Sequence, residues 1–418
     1  MFSSFFPRPI ALFVSAVLWT AVCMAAWFLF VRDLGNHLSI GALFGYPYPP
    51  PADWQTADPM SVQLSGDLWL YEYMIVTGAI FAAVWSRFTN TRWFWWSVVG
   101  SEAILFIIWF QVELSVMINN WFGSFYDLIQ QALAKPDSVT TAQYYGQLTT
   151  FLWIAMVSIM VAVFNAFLVS HYIFRWRTAM NDFYVANWQR LRTIEGASQR
   201  IQEDTMRFAS TMEDLGTSMI SSVMTLIAFL PILWGLSTYV KVLPIFGEVP
   251  QALVIVAIIW SAFGTGLLAA AGVRLPGLNF RNQRVEAAYR KELVLGEDDP
   301  ERAQPPTLAE LFANVRRNYF RIYLNYLYFN IARYGYLQAG VLVPYVALAP
   351  TIVAAGFTLG IMQRILQAFD QVASSFQYLV NSWSTIVEQI SIYKRLRAFE
   401  ATLEHEPLSK IEVSPADA

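Results

Sequence analysis

Apolar residues run along this chain in blocks too long for the elements of a soluble core. They recur at roughly 10–31, 68–86, 94–116, 148–173, 216–238, 251–273, 320–349 and 360–390. A helix needs about 20 such residues to cross a bilayer, and blocks of this length read as spans. The pattern predicts an all-α membrane protein with about eight transmembrane helices. The first block sits where a signal peptide would. Its apolar stretch, however, runs on through Trp27, Phe28, Leu29, Phe30 and Val31, past any small-residue cleavage site, so a retained span is expected.

The connections differ in kind. The segment at about 32–67 contains Tyr46-Pro47-Tyr48-Pro49-Pro50-Pro51, a stiff extended stretch. The segment at about 117–147 contains the aromatic run Trp121-Phe122-Gly123-Ser124-Phe125-Tyr126 and is expected as an outer connection. Two long polar segments, 174–215 and 274–319, have helical composition, and their few breakers are Gly277, Gly296, Pro300 and Pro305-Pro306. They are expected to carry the membrane helices far into the cytoplasm as helical hairpins.

The last block is patterned unlike the others. Gln363, Gln367, Asp370, Gln371, Ser374, Gln377, Asn381, Ser384, Thr385 and Glu388 recur at steps of three and four, a polar stripe along one helix face. Polar groups in hydrocarbon must be paired or hydrated. The stripe is therefore either glue between helices or the wall of a hydrated cavity, and its length and richness in amides favour the cavity. Gln367, Asp370, Gln371, Ser374, Gln377 and Asn381 are the expected lining residues. The third block adds two intramembrane acids, Glu102 and Glu113. Eleven residues apart, they share a helix face about 16 Å apart along the axis. Such carboxylates point to a proton relay or to binding of a cationic solute.

Composition agrees with the membrane class: 56% of the 418 residues are hydrophobic and only 14% charged, against about 25% charged in soluble domains. Charge sets the topology. Arg8, Arg87, Arg92, six arginines from Arg175 to Arg207, ten basic residues from Arg274 to Arg333, and Lys394, Arg395, Arg397 and Lys410 fall in alternate connections, making 23 of the 27 Lys and Arg. The opposite connections hold Arg32, Lys135 and Lys241. Basic residues stay on the cytoplasmic side, so both termini are expected there. Cys23 is a single cysteine, and His37, His171 and His405 are scattered, so neither a disulfide nor a metal site is expected, and no cofactor or nucleic-acid partner.

Several runs resemble the SbmA/BacA family of bacterial inner-membrane peptide transporters. They are Phe174–Asn181 (FRWRTAMN), Asn187-Trp188-Gln189, Ile194-Glu195-Gly196, Gln199–Ser210 (QRIQEDTMRFAS), Asn282–Leu293 (NQRVEAAYRKEL), Ser4-Phe5-Phe6-Pro7 and Ser391–Arg397 (SIYKRLR). The resemblance covers nearly the whole chain. It implies an ABC-exporter-like six-helix core over 92–400, an added N-terminal helix pair with its outer segment over 1–91, and a cytoplasmic tail over 401–418. It also implies a homodimer that takes up proline-rich antimicrobial peptides, modified microcins and bleomycin-like glycopeptides, driven by protons. On the same ground Glu203, Glu213, Glu286 and Glu297, otherwise ordinary acids of a solvated face, become expected coupling residues beside Glu102 and Glu113.

An ATPase of the Walker type needs a Gly-rich loop ending in Gly-Lys-Ser/Thr. No Gly-Lys pair occurs, and 28 of the 418 residues follow position 390, so the expectation is a chain without its own engine. One proton crossing 100 mV gains about 2.3 kcal/mol, so a few suffice for concentrative uptake. Two rivals stand beside this reading. One is an ABC half-transporter served by an ATPase on a separate chain. The other is a lipid-modifying membrane enzyme, against which stands the lack of any clustered Ser/His/Asp, metal-ligand or phosphate-loop arrangement.

Overall fold

The computed structural model describes residues 1–51, 59–89, 91–192, 194, 197–240, 242–244, 247–354, 356–378, 382–401 and 403. Ten helices carry the architecture: α1 (Pro9–Leu38), α2 (Pro59–Phe88), α3 (Trp95–Ala134), α4 (Thr141–Ala186), α5 (Ala197–Tyr239), α6 (Ala252–Gly272), α7 (Leu275–Asp298), α8 (Pro305–Val353), α9 (Leu359–Phe376) and α10 (Trp383–Ala401). A two-residue ladder, Val242 opposite Glu248 and Leu243 opposite Gly247, lies between α5 and α6. Seven helical stretches among the described residues are long and apolar enough to cross a membrane, α6 and α7 counting together as one. The eighth expected block is also helical, as α9 and α10. Its polar stripe is what lowers its mean hydropathy.

Two compact units are built from these helices. The first comprises Met1–Met117, Leu152–Thr217 and Gln389–Ala418. In it α1 and α2 are laced by aromatic donors: Trp19 Nε1 to the Thr77 carbonyl (3.1 Å), Tyr73 OH to the Cys23 carbonyl (3.0 Å), Trp69 Nε1 to the Val31 carbonyl (3.2 Å) and Trp85 Nε1 to Ser15 Oγ (3.1 Å). Buried indole and phenol groups need such partners, and here they tie one helix to the next. The N-terminal Phe5 and Phe6 sink among Tyr172, Trp176 and Trp93, with Phe2 reaching Phe208. α10 buries Gln389, Ile392, Leu396 and Phe399, a single face at helical spacing.

The second unit comprises Ile118–Phe151 and Ser218–Glu388. Tyr336 of α8 stacks on Trp260 of α6 with ring centroids 4.8 Å apart and donates to its carbonyl (3.3 Å). α9 packs on α6 through an apolar face of Ile365, Ala368, Phe369, Val372 and Ala373, all buried. α7 and α8 form the expected hairpin. It turns at 299–304, α8 starts on Pro305 at its first helical position, and Asn318 donates to the Leu278 carbonyl (3.3 Å) and to Asn282 Oδ1 (3.1 Å).

The segment 117–147, expected as an outer connection, is largely helical: α3 continues to Ala134 and α4 begins at Thr141. Hydropathy marks where lipid contact ends, whereas a helix ends only where its backbone is interrupted. Here the turns past the apolar block are held by side chains. Trp121 stacks on Phe125 (4.7 Å), packs on Phe151 (4.7 Å) and donates to the Gln147 carbonyl (2.7 Å).

Candidate functional site

The second unit places the polar stripe of α9 against the distal part of α3. The first N–H groups of any helix lack partners within it. In α9, Leu359 N donates to Gln130 Oε1 (2.6 Å), Gly360 N to Asp127 Oδ1 (2.9 Å) and Ile361 N to the Thr358 hydroxyl (3.3 Å). Three orphan donors are thus satisfied, and a carboxylate sits at the positive end of the helix. Two turns on, Asn119, fully buried, donates to the Arg364 carbonyl (3.0 Å) and to Gln367 Oε1 (3.3 Å), while Arg364 Nη2 reaches Asn120 Oδ1 (2.9 Å). The partners on α3 (Asn119, Gly123, Asp127, Gln130) recur at helical steps. That was the available signal for a paired helix in a segment expected as a connection.

The two helices meet at Gly123 and Gly360. A Cβ on Gly360 would collide with the Gly123 carbonyl oxygen and lie 2.6 Å from the Asp127 carboxyl carbon, and one on Gly123 would lie 2.6 Å from Arg364 Cδ. Small residues at such crossings let backbones approach. Because backbone oxygen cannot swing aside, Gly360→Ala is expected to lower stability by about 2 kcal/mol. Gly146→Ala, where nothing lies within 4 Å, is the matched control and should be neutral or stabilising. Thermal unfolding of both variants in one detergent checks this, and equal midpoints would contradict the crossing.

The stripe divides in two. Gln367 pairs with Asn119, and Gln377, buried, donates to Tyr336 OH. These two act as glue. Asp370 and Ser374 are exposed and Gln371 is half-buried, and Ser374 and Ser375 turn their hydroxyls back onto the Gln371 carbonyl (3.1 and 2.7 Å). Opposite the buried apolar face, α9 thus keeps an open polar face. Asn381 lies outside the described residues, as do Glu195 and the segment from 404 onward.

The acids occupy contrasting surroundings. Glu102 is half-buried on α3, its carboxylate over Gly78 of α2, where a Cβ would stand 3.6 Å from Oε2, and it has no hydrogen-bond or ion-pair partner among the described residues. Glu113, on the same helix, is half-buried as well. Glu203 pairs with Arg207 one turn on (2.8 Å) and accepts from Gln199 (3.1 Å). Glu213 is half-buried. α7 runs unbroken through Glu286 and Glu297, as their shared face requires; Glu286 is half-buried and Glu297 exposed. Glu292 holds the hairpin turn instead, accepting from Ala303 N (3.1 Å) and facing Arg302 (3.5 Å).

Sequence reasoning passed over two acids of the first unit. Asp204, in a run read as a solvated face, is buried and takes a hydrogen bond from Arg395 Nη2 of α10 (2.9 Å), and Arg200 donates to the Arg395 carbonyl (3.1 Å). Glu400 accepts from the Tyr184 hydroxyl (2.9 Å) and from the Met1 amino group. These contacts clasp α10 to the rest of its unit.

The model of the SbmA/BacA-like family matches residues 90–404. The chain is 23% identical to the Escherichia coli inner membrane ABC transporter ATP-binding protein YddA, over 78% of this chain and 60% of that protein. It is 23% identical to an uncharacterized ABC transporter ATP-binding protein of Synechocystis, over 79% of this chain and 50% of the relative. It is 21% identical to the chloroplastic ABC transporter D family member 2 of Arabidopsis thaliana, over 55% and 33%. The chain spans less than two thirds of the length of these relatives.

Proposed function

We propose a function from one premise: this chain belongs to the SbmA/BacA-like family and is therefore a multi-pass membrane transporter of a bacterial family. In our reading it imports peptides and peptide-like antibiotics across the inner membrane: proline-rich antimicrobial peptides, modified microcins and bleomycin-like glycopeptides. The proton gradient drives it, it works as a homodimer, and both termini are cytoplasmic. The observation that carries this reading is the open polar face of α9, with Asp370, Gln371 and Ser374 unabsorbed by packing on a helix whose other face is buried. Leaving such a face against lipid costs several kcal/mol, so it belongs beside water and a polar solute. Peptide amides suit it, since amide and hydroxyl side chains both donate and accept. Glu102, Glu113, Glu203, Glu213, Glu286 and Glu297 are the groups we assign to proton coupling.

Cysteine labelling tests the carrying observation. With Cys23 replaced by Ala, cysteines at Asp370, Gln371 and Ser374 should react rapidly with a small hydrophilic thiol reagent in membranes. Cysteines at Ala368 and Val372, both buried, should react at least about tenfold more slowly, and excess peptide substrate should protect the first set only. Equal protection at all five positions would make the whole stripe glue and remove the cavity.

A second reading is supported by the names of the relatives, which are ABC transporter ATP-binding proteins. In it the chain is the membrane part of a transporter whose ATPase resides elsewhere, acting on peptides or lipids. Uptake would then follow nucleotide and ignore the proton gradient.

A further inference from the structure

The α7–α8 hairpin forms a half-open cavity of about 390 Å³, lined by exposed arginines, that neither the transport reading nor the fold accounts for. Arg281 and Arg284 enter it from α7, Arg317 and Arg321 from α8, with Asn314 and Asn318 between them. The spacings are those of two facing helix stripes: Arg281 and Arg284 are three apart, Asn314, Arg317, Asn318 and Arg321 are four-residue steps and their neighbours. No carboxylate lines the cavity, and none of the four arginines has an ion pair among the described residues. Glu292, an acid of α7, is engaged at the hairpin turn instead.

The retention of positive charge on one side of a membrane explains why arginines are numerous here. It does not explain why four converge on one cavity. Like charges three or four residues apart on a helix destabilise it, and setting two such pairs face to face adds to the cost. A counter-charge in the cavity removes it. Guanidinium groups take phosphate oxygens in a fork of two parallel hydrogen bonds, and the amide of Asn314 adds a neutral donor. Two arginines from each helix match a ligand with two phosphodiester groups.

Position identifies the source of that phosphate. Arg321 directly follows Phe320, the first of a run of exposed apolar residues on α8 that continues through Tyr323, Leu324, Leu327 and Tyr328. On the other helix, Arg281 lies two turns beyond Val273, an exposed apolar residue at the end of that span. The cavity therefore stands where lipid-facing surface gives way to polar surface, at the height of lipid headgroups. We propose that this arginine-lined cavity binds the headgroup of an anionic phospholipid, with a diphosphatidyl lipid of the cardiolipin type as the best-fitting member of the class. Bound there, the lipid staples α7 to α8 at the base of the hairpin and anchors it to one leaflet.

The test uses the full chain in neutral detergent, titrated with fluorophore-labelled cardiolipin and read by energy transfer from its tryptophans. Saturable binding is expected, displaced by unlabelled cardiolipin, weakly by phosphatidylcholine, and not by inorganic pyrophosphate at equal concentration. Each arginine near the surface contributes about fivefold. The double variants Arg281→Gln/Arg284→Gln and Arg317→Gln/Arg321→Gln should therefore each bind roughly 25-fold more weakly. A control, Arg290→Gln/Arg316→Gln, removes the same charge from exposed positions outside the cavity and should bind as wild type. Thermal unfolding without lipid verifies each variant, and the single substitutions Arg284→Gln and Arg317→Gln replace any double variant that does not fold. Wild-type affinity in the cavity variants overturns the proposal. So does an equal loss in the control, which would reduce the effect to general charge, and so does displacement by pyrophosphate as readily as by lipid, which would make the ligand a free phosphate.

Discussion

Replacing Glu102 by glutamine should reduce proton-driven peptide uptake to background while leaving the protein folded. The carboxylate lies over Gly78 and makes no hydrogen bond or ion pair among the described residues. Glutamine keeps its size and removes only ionisation, so stability should change by less than about 0.5 kcal/mol. Peptide binding should persist, because binding needs one protonation state and turnover needs both. Glu292→Gln is the informative contrast: it weakens the contacts to Arg302 and Ala303 at the hairpin turn, and we expect a modest loss of stability with uptake retained. Normal gradient-driven uptake by Glu102→Gln would remove this residue from the coupling set. The weight would then fall on Glu113, Glu203, Glu213, Glu286 and Glu297.

The largest loss of stability is expected at Arg395. Asp204 is buried against it, and removing one partner of such a pair leaves an uncompensated charge. Arg395→Met should cost about 2–3 kcal/mol, toward the low end for a broken buried pair because the arginine is itself half-exposed. The diagnostic result lies in the double variant. Asp204→Leu with Arg395→Met removes both charges and should recover most of the loss, since well-packed apolar residues replace a buried pair at little cost. Unfolding midpoints of the two single variants and the double close the cycle. Additive losses would mean that the pair does not interact and that α10 is held by its apolar face and its other hydrogen bonds.

These two residues also show where the sequence spoke and where it was silent. The apolar blocks foretold the helices, and the long polar segments were rightly expected as helical hairpins, because few breakers interrupt them. The amphipathic pattern of α9 was legible too, since Ile365, Phe369 and Val372 alternate with Gln367, Asp370 and Gln371 at helical spacing. Periodicity tells which residues share a face but not what that face meets. Gln367 and Gln377 bond side chains of other helices, while Ser374 turns back onto its own helix and Asp370 stays exposed. The same limit hid Asp204: a charged run looks solvated until the partner nearly two hundred residues away is folded onto it. The extension of α3 to Ala134 was missed because its polar residues lowered the hydropathy, although they are the residues that bind α9.

Gradient-driven entry of a polar peptide is measured directly with purified protein in sealed liposomes. A fluorescent proline-rich peptide is added outside, with an acidic exterior, a more alkaline lumen and no nucleotide. The account predicts accumulation that grows with the imposed pH difference, collapses on adding a protonophore, and is absent from liposomes without protein. Uptake indifferent to the gradient, or appearing only when ATP and a separate ATPase are supplied, would contradict it.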